Sequence, residues 1–329
     1  MKAAALLLTL LALAPSAGAQ TLGVDGNRFK IDGRTKFLLV VSYFDGLRRA
    51  NANGGAGDVD TDFAYLKRIG YDGIRVLANW EYECGSGPAD DGQKLLAANG
   101  TINEPMWAVF VRLLERAAAH GLVVDVTFTR DTYDAPIPVD AYRTGIAAVA
   151  QRLGVVNGAG GHRHVLFDVQ NEYPIHGLTA ADVHAMLTAV RAVDSARIVT
   201  ASAGGGDIVD DDAMSVVAYH DSREEDWHEA AAARRQLDAV RQTKASRKPI
   251  YLQEPMPFRK FHPGCGHGEW PRPGYARRAA SHARHHGAAA WTFHTRQSFD
   301  LRTQTLLEIL KGDPEQKAEL DAIRSYLTK

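Results

Sequence analysis

The chain has 329 residues, 45% of them hydrophobic and 23% charged, and a formal net charge of −1. Such a composition supports a globular protein with a large core, and the near-zero charge gives no reason to expect nucleic acid or an anionic membrane as partner. A neutral substrate fits better.

Lys2 precedes an apolar run from Ala3 to Ala14, followed by the small residues Ser16, Ala17, Gly18 and Ala19. This pattern predicts a secretory signal peptide over 1–19, leaving 20–329 as one mature domain that is secreted or periplasmic. No later stretch reaches the roughly 18 apolar residues of a membrane-spanning helix. A hairpin around Asn27 to Thr35, turning at Asp32-Gly33, leads into a first strand at Lys36 to Tyr43. A helix with Phe63, Leu66 and Ile69 on one face stops at Gly70, and a second strand covers Gly73 to Leu77. The spacing of Trp107, Phe110, Val111 and Leu114 predicts a helix from Met106 to His120, before a strand at Val123 to Phe128.

A helix near Val139 to Leu153 precedes the fourth strand, which runs from Val165 into Asn171-Glu172. Thr179 with Asp182 caps the next helix, whose Val183, Met186, Leu187 and Val190 fall on one face. Strands follow at Ile198 to Ala201 and Val216 to Tyr219, a helix at Trp227 to Thr243, a strand at Ile250 to Gln253, a helix at Tyr275 to His286 and a strand at Ala288 to Phe293. A closing helix covers Pro314 to Leu327. Eight strands alternating with helices predict an α/β chain wound as a (β/α)8 TIM barrel, a single domain with a short N-terminal β-hairpin.

Barrel chemistry is confined to the loops at the carboxyl ends of the strands. Those ends carry Arg75 on strand two with Trp80 beyond, Asn171-Glu172 after strand four, Tyr219-His220-Asp221 at the end of strand six, Glu254 after strand seven, and Trp291 on strand eight with His294 beyond. Two glutamates delivered to one mouth can act as proton donor and nucleophile on a sugar acetal, which in a retaining mechanism requires carboxyl groups about 5–5.5 Å apart. Arg75 would keep Glu254 ionised, and the charge of Glu254 would favour the protonated form of Glu172. Asn171 is placed to bond the sugar 2-hydroxyl, and Trp291 to offer an apolar face to the ring.

On these residues the chain resembles the clan-A retaining glycoside hydrolases, and among them the family-5 cellulase-like enzymes. The resemblance implies Glu172 as acid/base, Glu254 as nucleophile, and Arg75, Asn171 and Trp291 as residues of the substrate site; His220 and Trp80, read from their places after strands six and two, complete the expected substrate-binding set. The chain departs from the family pattern in having Tyr219 and His220 adjacent, where a His-x-Tyr arrangement is usual. Strand alternation sends one of the two away from the site, and His220 is the one expected to face in. No histidine ends strand three, and Tyr173 follows the Asn-Glu pair.

Trp80, Phe258 and Trp270 are candidates for loop packing or for sugar subsites, and the 256–273 segment for one wall of the cleft. Cys84 and Cys265 follow strands on the same face, so a disulfide between them is permissible and not required. His162-Arg163-His164 precedes strand four and so belongs to the stability face. Gly204-Gly205-Gly206 lacks the Lys-Ser/Thr of a phosphate loop, and Asp210-Asp211-Asp212 lacks the spacing of a calcium loop. No cofactor or metal is expected, and the expected partner is an oligo- or polysaccharide. Two rival readings stand beside this one: a metal-dependent barrel hydrolase using His220, His294, Asp221 and Asp131 as ligands, and a catalytically silent barrel that only binds glycan.

Overall fold

A computed structural model of the chain describes residues 20–55, 59–79, 94–130, 135–155, 161–221, 229–243, 247–255, 274–294, 301 and 304–327. The 1–19 segment, Trp80, Cys84, Asp131, Phe258, Cys265 and Trp270 lie outside these residues. Three short strands, β1 (Leu22–Asp25), β2 (Arg28–Ile31) and β3 (Arg34–Lys36), open the chain as an antiparallel meander. The second turn uses Asp32 and Gly33 at φ 51° and 77°, the pair of left-handed residues that a tight two-residue hairpin needs. The meander therefore extends the expected hairpin by one strand, β1.

Eight parallel strands follow: β4 (Leu38–Ser42), β5 (Gly73–Leu77), β6 (Val123–Thr127), β7 (Val165–Asp168), β8 (Ile198–Thr200), β9 (Val217–His220), β10 (Ile250–Glu254) and β11 (Ala290–Phe293). Their spatial order, β8-β7-β6-β5-β4-β11-β10-β9, is that of a (β/α)8 barrel. The last seam, between β8 and β9, is closed differently from the others. Ser215 N–H donates to Val199 C=O at 2.8 Å, and beyond it the Thr200 hydroxyl replaces the ladder by donating to Val216 C=O at 2.8 Å and accepting from Ala218 N–H at 3.3 Å.

Around the strands lie α1 (Gly46–Gly55), α2 (Val59–Arg68), α3 (Glu104–Ala119), α4 (Val139–Val155), α5 (Ala180–Val193), α6 (Ala230–Arg241), α7 (Tyr275–His285), α8 (Leu306–Gly312) and α9 (Pro314–Leu327). The capping box of Thr179 and Asp182 starts α5 as its sequence indicates. Helices α1 and α8 add to the expected set.

Strand alternation divides the core in two. Leu39, Val41, Ile74, Val76, Val124, Val126, Phe167, Leu252 and Trp291 face outward and pack with the helices. Leu38, Val40, Val123, Leu166, Ile198, Val216, Tyr251 and Ala290 face inward and fill the lower barrel, where Leu22, Phe29 and Ile31 of the meander plug its base. Phe29 meets Tyr251 edge-on at 6.4 Å. Above this apolar layer the inward positions turn polar, with Ser42, Arg75, Asp125, Thr127, Asp168, Gln253 and Thr292 all buried. Among the described residues no helix is long and apolar enough to cross a membrane.

Candidate active site

The polar layer is organised around one cation. Arg75, inward on β5 and without solvent exposure, donates to Glu254 Oε1 at 2.6 Å, Asn171 Oδ1 at 2.7 Å and Thr127 Oγ1 at 3.0 Å. Its guanidinium also lies 3.7 Å from Asp125 and 3.8 Å from Asp168. Burial alone would weaken its hold on the proton, but the charges of Glu254, Asp125 and Asp168 outweigh it and raise the pKa above the usual arginine value. With one buried cation facing three carboxylates, not all can stay ionised cheaply. Asp168 yields: burial pushes its pKa up to about 7 against the pull of Arg75, with Asp125 adding to the rise. Asp125 is raised as well, by burial first, with Arg75 and its hydrogen-bond donors opposing.

Glu172 sits just beyond β7, where the backbone breaks from the pleat. Its φ of 44° and ψ of 53° place a non-glycine residue in the left-handed region, ahead of a 3-10 turn at Tyr173–His176. Such backbone persists where its surroundings hold it. Here Glu172 N–H donates to Ser202 Oγ at 3.1 Å, Ser202 Oγ donates to Asp168 Oδ2 at 3.0 Å, and Tyr173 N–H donates to Ser202 C=O. Gly204 covers the carboxyl so closely that a Cβ there would stand 2.7 Å from Glu172 Oε1.

Glu254 ends β10, and strict alternation would not bring it inward together with Gln253. The register against β9 slips between Leu252 and Glu254, a bulge that turns both side chains into the barrel. Bulges are common beside active sites because they re-aim a side chain in this way. Glu254 Oε1 is taken by Arg75, while Oε2 faces His220 Nδ1 at 3.7 Å and His294 Nε2 at 3.6 Å. His294 is itself held by Ser42 Oγ, 3.1 Å from its Nδ1.

His220 is the inward member of the Tyr219-His220 pair, and the Tyr219 hydroxyl donates outward to Gln236 on α6. His220 Nδ1 lies 3.1 Å from Glu172 Oε1, and Nε2 lies 2.8 Å from Gln253 Oε1. Burial disfavours its charged form, but the charge of Glu254 and the hydrogen bond to Glu172 prevail, so its pKa is raised. Glu172, His220 and Glu254 each bring one ligand atom within 4.8 Å of the others. Two carboxyl oxygens at that separation can cooperate across one bond, and the same three atoms are a donor set that could hold a divalent metal ion.

The structure thus gathers Glu172, Glu254, Arg75, Asn171 and His220, and leaves Trp291 out. Thr292 of β11 and His294 just beyond it face inward, so Trp291 points the other way; it is 1% exposed and packs with Phe293 against the helix layer. Its place at the mouth is taken by His294, beside Phe44. Trp80 falls outside the described residues. Sequence reasoning passed over Asp125, Asp168, Gln253, Ser202 and Gly204. The first two carried a signal, a lone acid within the apolar runs Val-Val-Asp-Val and Val-Leu-Phe-Asp.

No family model matches the chain, and no curated protein matches it. Among solved structures, the chain is similar to a glycoside hydrolase family 5 structure from Bacteroides vulgatus (TM-score 0.62, 14% identity, covering 85% of this chain and 62% of that one). It is similar to a family 5 mannosidase from Rhizomucor miehei in complex with mannosyl-fructose (TM-score 0.61, 14% identity, 96% and 100% covered). It also resembles a GH5_18 structure from Streptomyces cattleya in complex with GlcNAc (TM-score 0.57, 14% identity, 89% and 81% covered). In fold, this barrel stands among the glycoside hydrolase family 5 structures.

Proposed function

We propose that this chain is an exported retaining glycoside hydrolase that cleaves the O-glycosidic bond of a β-linked glycan or β-glycoside by double displacement. The observation that carries this reading is the approach of Glu172, His220 and Glu254 to within 4.8 Å of one another, with Arg75 holding one oxygen of Glu254. Glu254 Oε2 attacks the anomeric carbon while Glu172 gives its proton to the departing oxygen; Arg75 keeps Glu254 an anion through that step. Water then attacks the glycosyl-enzyme bond, returning its proton to Glu172 and freeing Glu254, so the configuration is retained. Asn171, its Oδ1 tied to Arg75, has its amide N–H groups left for the sugar 2-hydroxyl. The two neighbours with bound sugars hold neutral ones, which agrees with the near-zero charge of this chain.

The test is a panel of aryl β-glycosides and β-glucans assayed on wild type, Glu254→Gln and Glu172→Ala. Glu254→Gln should abolish turnover while substrate still binds, and Glu172→Ala should be rescued by azide with formation of a glycosyl azide. Unchanged turnover in Glu254→Gln would end the proposal. The three-atom donor set favours a second reading, a metal-dependent hydrolase. Extensive dialysis against chelator separates the two: the glycosidase keeps its activity, and the metal enzyme loses it until metal is added back.

A further inference from the structure

Gln253 is the extra residue of the β10 bulge, fully buried, and its two amide ends meet different partners. Nε2 donates to Asp125 Oδ2 at 2.8 Å, and Oε1 faces His220 Nε2 at 2.8 Å. An amide has one donating end and one accepting end, and Asp125 decides which end goes where. That carboxylate also receives the Thr127 hydroxyl at 3.3 Å and lies 3.7 Å from Arg75 Nε, so it accepts from all sides. The NH2 end of Gln253 turns to it, and the carbonyl end is left for His220. His220 Nε2 must therefore carry a hydrogen.

We infer that Gln253 is a positioning residue for the acid/base: by accepting the Nε2–H of His220 it leaves Nδ1 to share the proton that Glu172 delivers. This rests on the proposed glycosidase reading. With Nε2 committed, one proton lies between Glu172 Oε1 and His220 Nδ1, 3.1 Å apart. It passes to the leaving oxygen when the glycosidic bond breaks and is replaced from water when the glycosyl-enzyme is hydrolysed. The opposite neutral tautomer would put N–H on Nδ1, donate to Glu172 and hold that carboxyl ionised, with no proton to give. The charged groups around His220 are Glu172 beyond β7, Glu254 on β10 and Arg75 on β5, with Asp168 at the end of β7 and Asp125 of β6 behind Gln253. His294, just beyond β11, stands on the other side of Glu254. None of them other than Gln253 is bonded to Nε2 among the described contacts.

The experiment replaces Gln253 by Met, of similar length but with neither amide end, in the full chain. Two aryl β-glycosides are compared, a phenyl glycoside whose leaving group needs a proton and a dinitrophenyl glycoside whose leaving group does not. The phenyl substrate should lose about 100-fold in kcat/KM, which reports the proton-requiring first step and is the lower range of a general acid's contribution, and the dinitrophenyl substrate should lose little in kcat/KM. Equal losses on both would mean a merely structural residue and would overturn the inference. In parallel, nitrogen-15 NMR of wild type above the titration of His220, assigned by loss of signal in His220→Asn, should show hydrogen on Nε2 and none on Nδ1. The reverse tautomer overturns the inference even if Gln253→Met fails to fold. If wild type hydrolyses no glycoside, the function fails while the NMR result still decides the role of Gln253.

Discussion

Gly204 offers a test that separates the site from the fold. A Cβ built there stands 2.7 Å from Glu172 Oε1 and 3.0 Å from its carboxyl carbon, against an ordinary contact that begins at 3.4 Å. In Gly204→Ala the carboxyl must therefore retreat by about 0.7 Å from the place where His220 Nδ1 meets it at 3.1 Å. Misplacement of a reacting group by about 1 Å costs on the order of 100-fold, so kcat should fall about 10- to 100-fold. Gly204 does not have a positive φ, so alanine meets no backbone strain, and stability should change by less than about 1 kcal/mol. Its neighbour supplies the reciprocal control. Gly205 has φ +69° and open space where a Cβ would go, so Gly205→Ala should cost about 1–2 kcal/mol of stability and leave kcat as it was. The assay is kcat on an aryl β-glycoside beside the urea midpoint of each variant. Wild-type kcat in Gly204→Ala, or losses of activity that follow stability in both variants, would refute the reasoning.

Arg75→Leu should leave Glu254, Asp125 and Asp168 without their shared cation in a buried layer; breaking a buried ion pair in this way costs about 3–5 kcal/mol, read as a lowered urea midpoint, and an unmoved midpoint would contradict the charge assignment. Two other buried groups give opposite slopes of stability with pH. His164, bonded through Nε2 to Leu114 C=O, is pushed down to about 4 by burial, so its contribution is whole above pH 6.5 and is lost as pH falls toward 4, about 3 kcal/mol in all. Asp168, raised to about 7 from 3.8, contributes most at low pH and loses that contribution as pH rises through 7. Asp168→Asn should therefore steepen the rise of stability with pH across this window, and His164→Gln should flatten or reverse it; urea midpoints across the window check both, and slopes that shift in the same direction would disprove the assignment.

The barrel was legible because alternating βα units with periodic apolar faces have few other ways to bury themselves. Strand β5 is the clearest case, with the expected bounds Gly73–Leu77 and Arg75 on its inward parity. What was hidden has local causes. The segment Gly46–Gly55 is rich in Asn and Gly, weak helix formers, and forms α1 by packing on α3. Helix α8 is short, and its only sequence mark is the capping box of Thr305 and Glu308. Position near a strand end places Trp291 at the mouth, but the parity set by Thr292 and His294 turns it outward. Glu254 is the converse, since parity alone would separate it from Gln253 and only the bulge, invisible to a period of two, gathers both.

At the join between β8 and β9 the Thr200 hydroxyl stands in for the ladder, and the candidate site straddles it. Glu172 is anchored on Ser202 from one bank, and its carboxyl reaches His220 on the other. On the proposed mechanism, the proton handed to substrate would come from a contact that also bridges this join. A change that widened this join would part Glu172 from His220 while leaving Arg75 bound to Glu254, so the closure of the cylinder sets the geometry of the carboxylate–imidazole pair.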